Sequence, residues 1–207
     1  MINVLIVAAT ETELKAFLPP EFEHDKVGFV SAVLGVGKLA SIKLRHLLSR
    51  FKFDLVLLVG SCGSKDFSTG MVVSPSCLFD SGATSKLYIG RNDSSFKMTR
   101  NMNEASPPNV ISVEVSQFSP KFSRPQNIQA LGGIVYDMET YSVAEECFKN
   151  DVAFDVLKIV VDGRGNEIGS VSEYLQFEAI LYEDNSSLLR AMIRERIMSI
   201  PGLLHDG

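Results

Sequence analysis

The sequence predicts an α/β protein, a three-layer α/β/α sandwich built on a central mixed sheet. Two observations carry that prediction. Apolar runs of strand length alternate along the chain with segments whose apolar residues recur at helical spacing. Several of the runs are apolar at nearly every residue rather than every second one, as expected of strands covered by helices on both faces.

Each element follows from its own stretch of sequence. The run from Asn3 to Ala9 is aliphatic after its first residue and closes at Thr10, and TETELKAFL then repeats apolar residues at Leu14, Phe17 and Leu18. That is a strand followed by a helix. FVSAVLGVGK ends in Gly35 and Gly37, and LASIKLRHLLSRF places Leu39, Ile42, Leu47 and Leu48 at helical spacing, which makes a second strand-loop-helix unit. DLVLLVG, Asp54 to Gly60, predicts a buried strand that ends at the turn-forming GSCGS. GMVVSPSCLFDSGAT predicts one or two strands. Ser81 to Pro108, rich in Ser, Asn, Gly and Pro, predicts a loop excursion. NVISVEVSQF alternates like a strand, LGGIVYDME and FDVLKIVVDGRG are two more apolar strands, SVAEECFKN between them is helical, and Ser172 to Leu204 predicts a terminal helix. No repeat, heptad array or low-complexity linker divides the chain, so residues 1–207 are expected to form a single domain.

The balance of residue types narrows the function. With 45% hydrophobic residues in a chain of 207, a sizeable core is available. A net charge of -5 without a cluster of Lys and Arg gives no footprint for nucleic acid or an anionic membrane, so a small-molecule partner is expected. No apolar run approaches the roughly 20 residues that span a bilayer. The apolar start MINVLIVAA lacks the basic region of a signal peptide, and a cytoplasmic protein is expected. Cys62, Cys77 and Cys147 are odd in number and have neither C-x-x-C nor Cys/His spacing, which argues against a disulfide framework or a metal site. His24, His46 and His205 form no constellation, and no G-x-S-x-G signature accompanies them.

In open α/β sheets, ligands sit beyond the carboxyl ends of the strands. Five such ends carry polar or glycine-rich punctuation: Thr10 to Glu13, Gly35 to Lys38, Gly60 to Ser64, Asp137 to Glu139, and Asp162 to Asn166. Each has a structural reading. Thr10 and Glu13 have capping-box spacing. GVGK suits a tight turn and matches no phosphate-loop motif. GSCGS suits a turn, yet offers backbone N–H groups and the hydroxyls of Ser61 and Ser64 to an anion or a sugar. Asp137 suits a helix cap, Glu139 suits the positive end of a helix, and Asp162 suits an Asx turn. The functional reading is that the acids converge, Glu13 orienting a water and Asp162 holding a proton at the end of a buried strand.

Six motifs in order resemble the 5'-methylthioadenosine/S-adenosylhomocysteine nucleosidases of the nucleoside phosphorylase superfamily: AATETELKAF, GVGKLAS, LLVGSCGS, GMVVSP, YDMETYSVAEEC and VVDGRG. They span most of the chain. The resemblance implies a nucleoside phosphorylase-like sandwich that hydrolyses an N-ribosidic bond without a cofactor or metal, as a homodimer. It implies that Glu13 positions the hydrolytic water, Met138 packs on the ribose, Glu139 binds the ribose hydroxyls and Asp162 protonates the purine N7. Asp137 would belong to the sugar wall, Ser61 and Gly63 would line the pocket, and Phe118 would stack on the base. The sequence departs from the family pattern at Val161, where a serine is usual, and at Cys62 and Ser64 of the glycine loop. LIVAATETELKAF is also similar to the futalosine and aminodeoxyfutalosine hydrolases, whose substrate carries a carboxylate that Arg164 or Arg124 would meet. Purine nucleoside phosphorolysis and binding without catalysis are the rival readings.

Overall fold

The computed structural model describes residues 1–18, 27–81, 86–89, 98–99, 110–115, 133–166 and 168–203. Its strands join one ten-stranded mixed sheet. β1 (Ile2–Ala8) lies between β2 (Val27–Val33) and β3 (Leu55–Ser68), parallel to both. β10 (Ala153–Arg164) runs parallel along the other edge of β3 for its whole length, and β4 (Val72–Val73) adds antiparallel to β10. β9 (Gly133–Asp137) joins β3 at Gly63 and continues the sheet through β8 (Val110–Glu114), β5 (Cys77–Asp80), β6 (Lys86–Ile89) and β7 (Met98–Thr99).

Residue alternation along the central strands divides the core into two layers, because successive side chains of a strand point to opposite faces. Val4, Ile6, Leu55, Leu57 and Val59 face α1 (Glu11–Phe17) and α4 (Val171–Leu203). Leu5, Val7, Val56 and Leu58 face α2 (Lys38–Leu48) and α3 (Thr140–Lys149). This is the sandwich the sequence predicts, and the unbroken apolar runs are strands buried on both sides. Phe17 of α1 meets Tyr182 of α4 edge-on with centroids 5.9 Å apart, a contact of about 0.5–1.5 kcal/mol that ties the short helix to the long one. Among the described residues, no helix is long and apolar enough to cross a membrane.

Two expectations are corrected. GSCGS does not end its strand in a turn: β3 continues through it to Ser68, because β10 on one edge and β9 on the other supply ladder partners that override the turn preference of Gly and Ser. The expected loop from Ser81 to Pro108 contains two short strands, β6 and β7, whose Leu87, Tyr88, Ile89 and Met98 are buried. Their apolar residues were masked in the sequence by polar flanks.

One feature of this topology makes room for a site. β1 accompanies β3 over Leu55–Leu58 and ends at Ala8, whereas β9 meets the same edge only at Gly63. Among the described residues, no strand pairs with the segment between on that edge, and a cleft opens beside it.

Candidate functional site

A cleft of about 200 Å³, open at its mouth, lies at the carboxyl ends of β1, β9 and β10 and beside the middle of β3. Glu13, Ser61, Gly63, Asp137, Met138, Glu139 and Asp162 all line it, so seven of the eight residues selected from sequence share one cavity. Phe118 lies outside the described residues. Val115, Tyr136, Tyr174, Leu175 and Glu178 complete much of the wall.

Glu13 closes the start of α1 and also lines the cleft. Thr10 and Glu13 form a full capping box at the start of α1, with the Glu13 N–H donating to Thr10 Oγ1 at 3.2 Å and the Thr10 N–H donating to Glu13 Oε2 at 2.9 Å. The other carboxylate oxygen crosses to β3, where Glu13 Oε1 accepts from Ser61 N and Ser61 Oγ, both at 3.0 Å. Two backbone donors fix the carboxylate, and its hydroxyl donors, Thr10 and Ser61, can rotate to admit a water. Gly60 makes this crossing possible, since a Cβ there would stand 2.7 Å from Glu13 Oε1.

Asp137 and Glu139, two residues apart, do different work. Asp137 Oδ1 accepts from the N–H groups of Glu139 and Thr140 at 3.0 and 2.7 Å, and Oδ2 accepts from the Ser112 and Thr140 hydroxyls at 2.7 and 2.6 Å. It caps α3 and lines the wall, with its oxygens bound to protein donors. Burial opposes its charge, but Lys158 and these hydrogen bonds outweigh burial and hold its pKa below the usual value. Glu139 reaches across the cleft, where its Oε1 accepts from Gly37 N at 2.9 Å. The GVGK turn therefore delivers a backbone N–H, and Gly37, at φ +66°, takes a conformation that glycine enters without strain. Burial, with the Asp137 charge adding and Lys158 opposing, pushes Glu139 up to about 7.

Two buried ionisable groups beside the cleft escaped the sequence reading. Lys158 sits in the middle of the apolar run VLKIVV, 1% exposed, with its Nζ 3.9 Å from Glu139 Oε2. Burial alone would lower its pKa, but Asp137, Glu139 and Glu13 together hold it above the normal lysine value. One cation thus serves three carboxylates, and Asp137, with four hydrogen-bond donors of its own, keeps its charge more easily than Glu139. Glu178 of α4 is 5% exposed and stands 2.5 Å from Ser61 Oγ. Signals for both existed: a lysine inside an otherwise apolar strand demands buried counter-charges, and Tyr174, Glu178 and Tyr182 recur at the i, i+4 spacing of one helix face.

Asp162 stands beside Gly63 where β10 bulges against β3, and Ile168 N donates to its Oδ1 at 3.1 Å. Val161, just before it, is fully buried in the core. Ser64 faces away from the cleft, with its hydroxyl donating to Ile134 O at 2.7 Å and accepting from Asp66 N and Phe67 N. Arg164 is not part of the cleft wall: Nη2 donates to the Asp66 carbonyl at 2.8 Å on the exposed surface. Arg124 lies outside the described residues. Five carboxyl groups line the cleft, yet no three His, Cys, Asp or Glu among the described residues are grouped as metal ligands.

No protein-family model and no curated protein matches the sequence. Solved structures do match in fold. The 5'-methylthioadenosine/S-adenosylhomocysteine nucleosidase of Campylobacter jejuni aligns with a TM-score of 0.63 at 12% identity, covering 94% of this chain and 100% of that one. A mutant of the Helicobacter pylori nucleosidase with 5'-methylthioadenosine in its active site aligns at 0.67 and 14% identity, covering 94% and 99%. The futalosine hydrolase of Helicobacter pylori aligns at 0.61 and 15%, covering 94% and 99%. The chain therefore has the nucleoside phosphorylase-like α/β fold of these enzymes, over nearly its whole described length.

Proposed function

We propose that this chain is a nucleosidase that hydrolyses the N-ribosidic bond of a 5'-modified adenine nucleoside, releasing adenine. 5'-Methylthioadenosine, S-adenosylhomocysteine and 6-amino-6-deoxyfutalosine are the substrates that fit this reading. The observation that carries it is the convergence of Glu13, Glu139 and Asp162, from α1, the start of α3 and β10, on one cleft in this fold.

The chemistry follows from the carboxyl groups. Breaking the bond leaves cationic character on the ribose and negative charge on the departing purine. Asp162, as the acid, gives its proton to N7 of the base, which then leaves neutral. Glu13, held by two backbone N–H groups, takes a proton from the attacking water; each such transfer typically contributes about 10²- to 10⁴-fold. Glu139, pinned by Gly37 N, holds the ribose hydroxyls so that attack is in effect intramolecular. The surrounding negative charge favours the cationic transition state. The wall also disfavours phosphorolysis: no lysine or arginine lines the described cleft, so a phosphate dianion has no cationic ligand there. The protein would act as a single-domain cytoplasmic homodimer. Val36 lines the cleft and is 51% exposed, and Leu39 and Ile42 of α2 are exposed nearby in sequence, an apolar face suited to a second subunit.

The test is a product assay with the three nucleosides in parallel, since all release adenine and differ at the 5' end. Their relative rates identify the substrate. Asp162→Asn is expected to lower turnover by about 10²-fold or more while calorimetry shows binding retained. An unaffected rate would discard Asp162 as the acid, and base release that requires phosphate would replace hydrolysis by phosphorolysis.

A further inference from the structure

Ser61 Oγ stands between two carboxyl oxygens, 3.0 Å from Glu13 Oε1 and 2.5 Å from Glu178 Oε1. A serine hydroxyl has one proton to donate. If both carboxyls were ionised, one of these oxygen-oxygen contacts would contain no hydrogen and two charges would face each other across a single buried serine. A further proton therefore belongs in the chain, and the partners decide where it sits. Glu13 already accepts from the backbone N–H groups of Thr10 and Ser61 and from the Thr10 hydroxyl, so a proton of its own would meet donors rather than acceptors. Glu178 contacts the Ser61 hydroxyl and, at 3.4 Å, the Tyr182 hydroxyl.

The geometry points to Glu178 as a positioning residue that is protonated at rest: it donates to Ser61 Oγ, which donates to Glu13 Oε1 and keeps that carboxylate aimed into the cleft. The contribution to turnover rests on the nucleosidase reading, in which Glu13 is the base; the location of the proton does not. The groups facing Glu178 agree with it. Burial is the main influence raising its pKa, the Glu13 charge from α1 adds to it, and Lys158 from β10 opposes. Cys62 from β3 and the hydroxyls of Tyr174 and Tyr182 share its surroundings, all three held above their usual pKa by burial and so neutral. The balance puts Glu178 at about 7.

The sign of the pH effect follows. Below this value Glu178 is neutral and Ser61 points its proton at Glu13. Above it, ionised Glu178 draws the serine proton across the shorter contact, and Glu13 loses a donor. Glu178→Gln mimics the neutral acid at every pH, because its amide donates to Ser61. The wild-type rate divided by the E178Q rate is therefore expected to be level in acid and to fall by about tenfold on passing above neutrality, the effect of one hydrogen bond to a charged group.

Infrared spectroscopy of the ligand-free protein reads the proton directly. The wild type is expected to show a carboxylic-acid carbonyl band, titrating near neutrality, that is missing from E178Q; identical bands in the two proteins overturn the proposal. Ser61→Ala keeps both carboxyls and removes the shared hydroxyl, so it should move the midpoint of that band, and an unmoved midpoint also overturns the proposal should E178Q fail to fold. These measurements decide the matter even if no nucleoside is cleaved. If one is, a pH-independent rate ratio refutes the positioning role.

Discussion

Replacing Lys158 by methionine removes a buried charge while keeping most of its volume. The Nζ lies 3.9 Å from Glu139 Oε2, and with an effective dielectric of about 20 a unit pair at that distance interacts by about 4 kcal/mol. Breaking a buried pair by deleting one partner costs roughly 3–5 kcal/mol, because the other charge remains uncompensated. Asp137 and Glu13 lose the same cation, so K158M is expected to lose about 4 kcal/mol at pH 8. The loss must depend on pH. Glu139 already titrates at about 7, above its usual 4.5, so folding binds a proton between these values and wild-type stability falls as pH rises through them. Without Lys158 the folded pKa of Glu139 rises further, and the penalty grows with pH. Near pH 5 Glu139 is neutral and its share of the penalty disappears, whereas the share of Asp137, held below its usual pKa, remains. Lys158 itself, held above the normal lysine value, stays charged throughout this range. Urea denaturation of wild type and K158M at the two pH values measures both quantities. A loss under about 1 kcal/mol, or one independent of pH, would refute the view that this lysine neutralises the carboxylates.

Two further substitutions test how the acids are held. Gly60→Ala places a Cβ 2.7 Å from Glu13 Oε1, so the carboxylate must leave Ser61; turnover should fall by about 10²-fold, as for a group displaced by an ångström, in a steady-state assay with adenine release as readout. Unchanged turnover would show that Glu13 need not sit there. Asp137→Ala strands two backbone N–H groups and two hydroxyls at the start of α3, and should cost about 3 kcal/mol by thermal or urea unfolding, with D137N losing less because its carbonyl still serves the backbone pair. Equal stability of D137A and wild type would contradict the capping role.

Much of this fold was legible because burial on both faces leaves a plain trace: strands such as Leu55–Val59 admit no polar residue. The strand ends were legible because polar residues at four distant positions had no shared structural need, and folding brings them to one cleft. What stayed hidden depended on partners far along the chain. GSCGS extends as strand only because β9 and β10 pair with it. Lys158 reads as an interruption of its strand until Asp137, Glu139 and Glu13 surround it. Glu178 reads as one more polar residue on a long helix until its distance to Ser61 is known.

The double duty of Glu13 has a consequence for motion. α1 has only seven residues, too few to persist by itself, and its first turn is closed by the same carboxylate that faces the cleft. Fraying of that turn and departure of the carboxylate from Ser61 are one event. The fraction of molecules with the helix start open is also the fraction in which the Glu13 carboxylate has left Ser61, so the shape of the cleft is a local folding equilibrium, set by Thr10 and by the Phe17–Tyr182 contact as much as by the cleft itself.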